Sequence, residues 1–144
     1  MNTLSASDLR IGNLVGTDLK NTHCTVVEIR HSVVSLRYIR SDNNEPHQSM
    51  VEYDRLTPIE LTEEWLLKAG FEKGKGLYSQ WYFIQLLGTE FYLRPNFLGG
   101  YLWGFDLEIA SGYELNDAQP IQYLHQLQNL WKELTGNELM FKEK

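Results

Sequence analysis

Two carboxylates, Asp106 and Glu108, come nearest to a chemical arrangement in this chain. On a strand they share a face about 7 Å apart, a spacing that suits one proton donor and one acceptor. No His, Lys or Arg stands beside them in sequence to complete a site, so the pair reads as part of a solvated sheet face. His23, Cys24, His31 and His47 carry atoms that bind metals or attack carbonyls, but none stands at a C-x2-C or H-x3-H spacing. Neighbours on a strand point to opposite sides, which separates His23 from Cys24 and leaves Cys24 as a small inert residue of core or rim. Lys73-Gly-Lys-Gly76 looks like a phosphate loop only in composition, because the expected helix precedes it and none follows to receive an anion. Walker, G-x-G-x-x-G and G-x-S-x-G motifs are absent. The residues therefore offer no catalytic set, no metal site and no cofactor site, and the expectation leans away from an enzyme.

Arg30, Arg37 and Arg40, with Tyr38 and His47 nearby, have the most binding logic. A basic groove with aromatic platforms is how small barrels hold single-stranded nucleic acid. Tyr38 lies on the opposite strand face from Arg37, however, and Glu28, Asp42, Glu45 and Glu52 dilute the charge. The formal net charge is -6, with six basic and seven acidic side chains in residues 1–57 and seven and twelve in 58–144. Affinity for nucleic acid comes mostly from Lys and Arg neutralising phosphates, so nucleic acid is disfavoured as a partner and another protein is expected. Trp103 joins the arginines as a binding candidate, although Trp81, Tyr101, Trp103 and Trp131 are of the kind that fills cores.

These side chains need strands and helices to hold them. Residues 9–16 read as a strand, and residues 24–30 and 33–40 alternate with period two around a tight turn at 30–32. Val34, Leu36 and Tyr38 share one face of the second of these. Residues 41–47 are a loop by composition, and 50–56 form a last short strand carrying Val51 and Tyr53 inward. Four short strands bent by glycines predict an SH3-like small β-barrel over 1–57.

Residues 58–144 are predicted as an α+β subdomain, giving an α+β chain overall. Thr62 caps a helix over 62–69, Glu63 and Glu64 sit where its dipole favours negative charge, and Gly70 stops it with Phe71 folded back onto Leu66. An antiparallel sheet over 77–109 follows, with Tyr101, Trp103, Phe105, Leu107 and Ile109 on a buried side and Asp106 and Glu108 on a wet one. A helix over 120–135 has Pro120 at its first position and Gly136 as its stop. Its Tyr123, Leu124, Leu127, Leu130, Trp131 and Leu134 fall within an arc of about 120° that is expected to pack the sheet, while His125 and Asn129 fall outside. Residues 139–141 are compatible with a short edge strand.

At 144 residues the chain can bury roughly two-thirds of its unfolded surface without staples. A lone Cys24 excludes an internal disulfide, the start lacks the basic and apolar regions of a leader, and no window nears the ~18 apolar residues of a membrane span. The expected setting is a reducing cytoplasm with no membrane partner. Three blocks together resemble a family of short proteins of Bacteroides and related gut bacteria, often carried in phage-like or mobile regions. They are Leu9-Arg-Ile-Gly-Asn-Leu-Val15, Tyr53-Asp-Arg-Leu-Thr-Pro-Ile-Glu-Leu-Thr-Glu-Glu-Trp-Leu-Leu-Lys-Ala-Gly-Phe71 and Tyr123-Leu-His-Gln-Leu-Gln-Asn-Leu-Trp-Lys-Glu-Leu-Thr-Gly136. The resemblance implies no activity, cofactor or site residue, and the chain departs from shorter members by a longer aromatic segment between Leu77 and Ile109. The function expected is non-enzymatic protein interaction in the service of a phage or mobile element. Single-stranded nucleic-acid binding through the barrel and a small enzyme of unrecognised type are the alternatives, and oligomeric state is left open.

Overall fold

The computed structural model describes residues 4–17, 23–39, 45–86, 88–109 and 120–141. In chain order they form β1 (Leu14–Thr17), β2 (Cys24–Ile29), β3 (Val33–Ile39), β4 (Pro46–Glu52), β5 (Leu56–Thr57), α1 (Glu63–Lys68), β6 (Glu72–Lys73), β7 (Tyr82–Leu86), β8 (Thr89–Leu98), β9 (Tyr101–Ile109) and α2 (Leu124–Thr135). The fold is α+β. The chain divides into two units, the first holding Met1–Glu60 with Tyr123–Glu138 and the second Leu61–Gln122 with Leu139–Lys144. No helix among the described residues is long and apolar enough to cross a membrane.

In the first unit five strands, in the order β4-β3-β2-β1-β5, make a curled half-barrel sheet. Leu4, Leu9, Val15, Cys24, Val26, Val34, Leu36 and Leu56 fill its core, with Ile29, Tyr38, Val51 and Tyr53 packed against them. β3 keeps its expected period, since Val34 lies opposite Val51 inside while Arg37, opposite Gln48, is exposed. β2 cannot keep a strict period, because Cys24 and Val26 must share the core with Ile29. A register shift between Val26 and Glu28 takes Val27 out of the ladder and restores the phase, as a β-bulge does. The expected strand over 50–56 is corrected to two elements. β4 ends at Glu52, a 3-10 turn covers Tyr53–Arg55, and β5 pairs back with β1, Gly16 opposite Thr57. β1 is shorter than expected because Gly12, at φ +100°, turns the chain ahead of it.

α2 corrects two expectations. It begins at Leu124 and not at Pro120, because Ile121 is held in extended pairing with Phe105. Gly136 does stop it, at φ +76° with its N–H donating to the Lys132 carbonyl. Second, α2 belongs to the first unit and not to the unit that holds the second sheet. Its amide side chains give the reason: Gln128 accepts from the Leu14 N–H (2.9 Å) and donates to the Gly12 carbonyl (3.2 Å), while Asn129 accepts from Arg10 (2.9 Å) and Asn13 (2.7 Å). An apolar arc shows that a helix must dock; these amides, by satisfying polar groups ahead of β1, decide where. Leu124, Leu127 and Trp131 are buried, but so are Gln128 and His125, and Leu134 is 41% exposed.

The second unit is an antiparallel sheet in the order β6-β7-β8-β9. α1 forms with its expected ends. Thr62 accepts from the Trp65 N–H at 3.5 Å, Gly70 takes φ +97°, and the Phe71 N–H reaches the Leu66 carbonyl at 3.0 Å. Tyr82 ties the helix to the sheet: its hydroxyl donates to Glu63 (3.0 Å) and its ring meets Phe105 edge-on at 5.9 Å. Tyr82, Phe91, Leu93, Phe105 and Leu107 are buried, and the strand registers put them on one face. Residues 139–141 form no strand; Leu139 is buried and Phe141 meets Trp65 edge-on.

A candidate interaction surface

β8 and β9 outrun the rest of their sheet. β7 begins at Tyr82, opposite Leu93, so beyond Arg94 no described residue pairs with β8 on that side, and β8 and β9 go on as a two-stranded arm. Pro95 suits the place where this begins, since it has no N–H to give to a ladder. Gly99 and Gly100 close the arm at φ +61° and +86°, the left-handed pair that a two-residue hairpin turn requires. The register slips between Asn96 and Phe97, which makes Trp103 the extra residue of a bulge.

That extra residue breaks the alternation that would have carried Tyr101 and Trp103 into the core with Phe105. Tyr101 is 81% exposed and Trp103 39%, correcting the buried side expected for them. Phe97, Leu98 and Leu102 are exposed by 48, 62 and 52%. Phe97 opposes Leu102 and Leu98 opposes Tyr101, and successive pairs face opposite ways, so apolar surface lies on both sides of the arm. Residues 95–105 contain no charged side chain.

At the foot of the arm stand the two carboxylates, and they are not wet. The side chains of Asp106 and Glu108 are 9 and 12% exposed. Arg94 lies directly opposite Asp106 on β8, donating from Nη2 to Asp106 Oδ2 (3.4 Å) and from Nε to Glu108 Oε2, while Asn96 donates to Asp106 Oδ2 (3.1 Å). Burial of two carboxylates is tolerable only with such partners. The cation that sequence neighbours failed to supply comes from the adjacent strand. A guanidinium does not release its proton, so Arg94 acts here as a fixed cation that ties the two carboxylates of β9 to β8.

Arg30 and Arg37 do not converge. Arg30 is exposed and its Nε donates to Glu28 (3.0 Å). Arg37 lies four residues along β3 from the turn, about 14 Å away at 3.4 Å per residue, on the face opposite the core. Arg40 lies outside the described residues. Tyr38 stacks on His47 inside the sheet, at 5.9 Å between centroids, and is no platform beside Arg37. Cys24 is 3% exposed and burial pushes its thiol pKa up, away from a reactive thiolate. Among the described residues no three of His, Cys, Asp and Glu are grouped to hold a metal.

A polar cavity of about 480 Å³ lies beside β7, lined by Gly70, Glu72, Phe83, Ile84, Gln85 and Glu90. None of Arg94, Asp106 or Glu108 is among these, so the carboxylate pair and the cavity are separate features. Of the arm, the sequence reading singled out Trp103 and placed Tyr101 in the core; Phe97, Leu98 and Leu102 were missed. The signal that could have found them is the uncharged run from Pro95 to Phe105 folded about a Gly-Gly turn. No family model, curated protein or solved structure matches the chain.

Proposed function

We propose that the chain is a non-catalytic protein-interaction module and that the β8–β9 arm is its docking element. The observation that carries this is the arm itself, an uncharged two-stranded ribbon apolar on both faces. A two-stranded hairpin standing alone is marginal in water, and exposed apolar patches of this kind mark interfaces. The first unit is read as an SH3-like barrel, a reading supported by the strand order and by β5 returning to β1 after a 3-10 turn. A cytoplasmic setting, and service to a phage or mobile element of Bacteroides-like bacteria, belong to the same proposal and rest on the lone cysteine and the sequence resemblance.

The test is quantitative affinity capture from a host lysate with the wild-type chain and with the double variant Leu98→Ser/Tyr101→Ser. Both positions are exposed, so the fold is expected to survive, checked by circular dichroism. The expected result is a partner retained near stoichiometry by the wild type and lost by the variant. Equal recovery by both chains refutes the arm as the docking element.

A further inference from the structure

We infer that the arm pairs with the arm of a second copy of this chain, edge to edge, about a two-fold axis at Leu102. This rests on the reading of the arm as a docking element and names its occupant. The two-sided apolar surface is the first argument. A flat partner docking on one face would leave the other in water, whereas a strand added at the edge gives neighbours to both faces at once.

The backbone supplies the second argument. Phe105 donates to the Ile121 carbonyl (2.9 Å) and accepts from the Ile121 N–H (2.7 Å), so its polar backbone groups point away from β8. Counting back through the Gly104–Asn96 and Leu102–Phe97 pairs, with Trp103 as the extra residue, the next residue directed outward is Leu102. Among the described residues no strand pairs with it there. An outward N–H and C=O flanked by Tyr101 and Trp103, with no Lys, Pro or charge on the edge, is a template for another strand. The bulge at Trp103 and the paired Ile121 beyond it confine added pairing to one rung, which gives a closed pair and not a growing sheet.

Charge is the third argument. Two copies of a chain of net charge -6 repel on approach, and residues 95–105 are a stretch where no like charges meet. The exposed fractions, at roughly 150–250 Å² for each aromatic side chain, leave on the order of 500 Å² on the arm, against about 800 Å² per partner in a standard interface. The pairing is accordingly at the weak, reversible end of specific interfaces.

The experiment is sedimentation velocity of the purified full chain from about 5 to 200 µM, the range in which a weak dimer of Kd on the order of 10⁻⁵–10⁻⁴ M, about 5.5–7 kcal/mol, would be seen. A monomer–dimer equilibrium is expected. Leu102→Pro removes the outward N–H without touching a bond to β8, as Pro95 does on the other strand, and is expected to weaken the dimer at least about tenfold. Tyr101→Lys sets like charges across the axis and is expected to do the same, while Ile11→Lys, 61% exposed in the first unit, leaves it unchanged. Melting curves check that each variant folds. A wild type monomeric at the top concentration overturns the inference, as does a dimer indifferent to both arm variants, or arm-dependent oligomers larger than two. Arm-dependent binding of the monomer to phosphatidylcholine vesicles would likewise replace the second copy by a lipid surface. A monomer whose captured partner is still lost on Leu98→Ser/Tyr101→Ser refutes self-pairing while leaving the docking reading standing.

Discussion

Gly104 in β9 is the position where one added methyl group should do most harm. A Cβ there would lie 2.7 Å from the Ile121 carbonyl oxygen, 2.9 Å from Pro120 Cβ and 3.2 Å from Gln122 Cγ, and its φ is not left-handed, so the effect is one of space and not of backbone strain. Relief requires Pro120–Gln122 to move outward by roughly half an ångström, which stretches the two Phe105–Ile121 hydrogen bonds. Losing one to two such bonds costs about 1 kcal/mol each, within the 1–3 kcal/mol usual for overpacking. Against this, Ala narrows the unfolded ensemble by about 0.4–1 kcal/mol. The balance for Gly104→Ala is a destabilisation of about 1 kcal/mol, read as a lowered urea midpoint. Gly16→Ala makes the same 2.7 Å contact, but with Thr57 Oγ1, while the Thr57 carbonyl stands off at 3.6 Å. A rotation about χ1 of Thr57 relieves it, and the variant is expected within about 0.5 kcal/mol of wild type. Equal midpoints for the two variants, or a larger loss at Gly16, would refute the reasoning.

His125 is 3% exposed, its Nδ1 has no hydrogen-bond partner among the described residues, and burial depresses its pKa against a smaller opposing pull from Asp8. The unfolded chain therefore protonates first as pH falls, so stability is full above the ordinary His value of about 6.5 and declines below it; His125→Phe, keeping the stack on Tyr123, should flatten urea midpoints measured between pH 7.5 and 5.5. Gln128→Ala strands the half-buried groups that Gln128 serves at Leu14 and Gly12, and should cost about 1–2 kcal/mol by chemical denaturation. Tyr82 is pushed up to about 12 by burial and by its bond to Glu63. Alkaline absorbance titration should show a late phenol that is absent in Tyr82→Phe, with stability declining as pH rises from about 10 because the unfolded chain ionises first.

Local signals were legible where one side chain settles one backbone choice. Thr62, Gly70 and Phe71 mark both ends of α1, and Gly136 marks the end of α2, because caps act within a single turn. Alternation placed Val34, Leu36 and Tyr38 correctly. It failed at Val27 and at Trp103, where a bulge adds one residue and reverses which face every later side chain takes. Nothing in the composition of Cys24-Thr-Val-Val-Glu or Leu102-Trp-Gly distinguishes a bulged strand from a regular one; the demand comes from the core across the sheet. Docking of α2 was hidden for a related reason, since Gln128 and Asn129 look like solvent residues until the unpaired backbone at Gly12 and Leu14 is brought to them.

The carboxylates show how the same distance in sequence conceals the site's foundation. Arg94 and Asp106 are twelve positions apart along the chain, so a reading by neighbours saw two acids and no base. Once the hairpin closes, Arg94 stands opposite Asp106, and Asn96, two residues on, donates to the same Oδ2. These contacts lock β8 to β9 at the rung before Pro95, where support from β7 ends, and the Phe105–Ile121 pair clamps the next rung from the other side. A ribbon so anchored enters water already ordered, and less conformational entropy would be lost in the docking proposed for it. The buried charges thus serve the exposed apolar arm by holding its geometry, which is why the residues nearest to chemistry in the sequence do mechanical work in the fold.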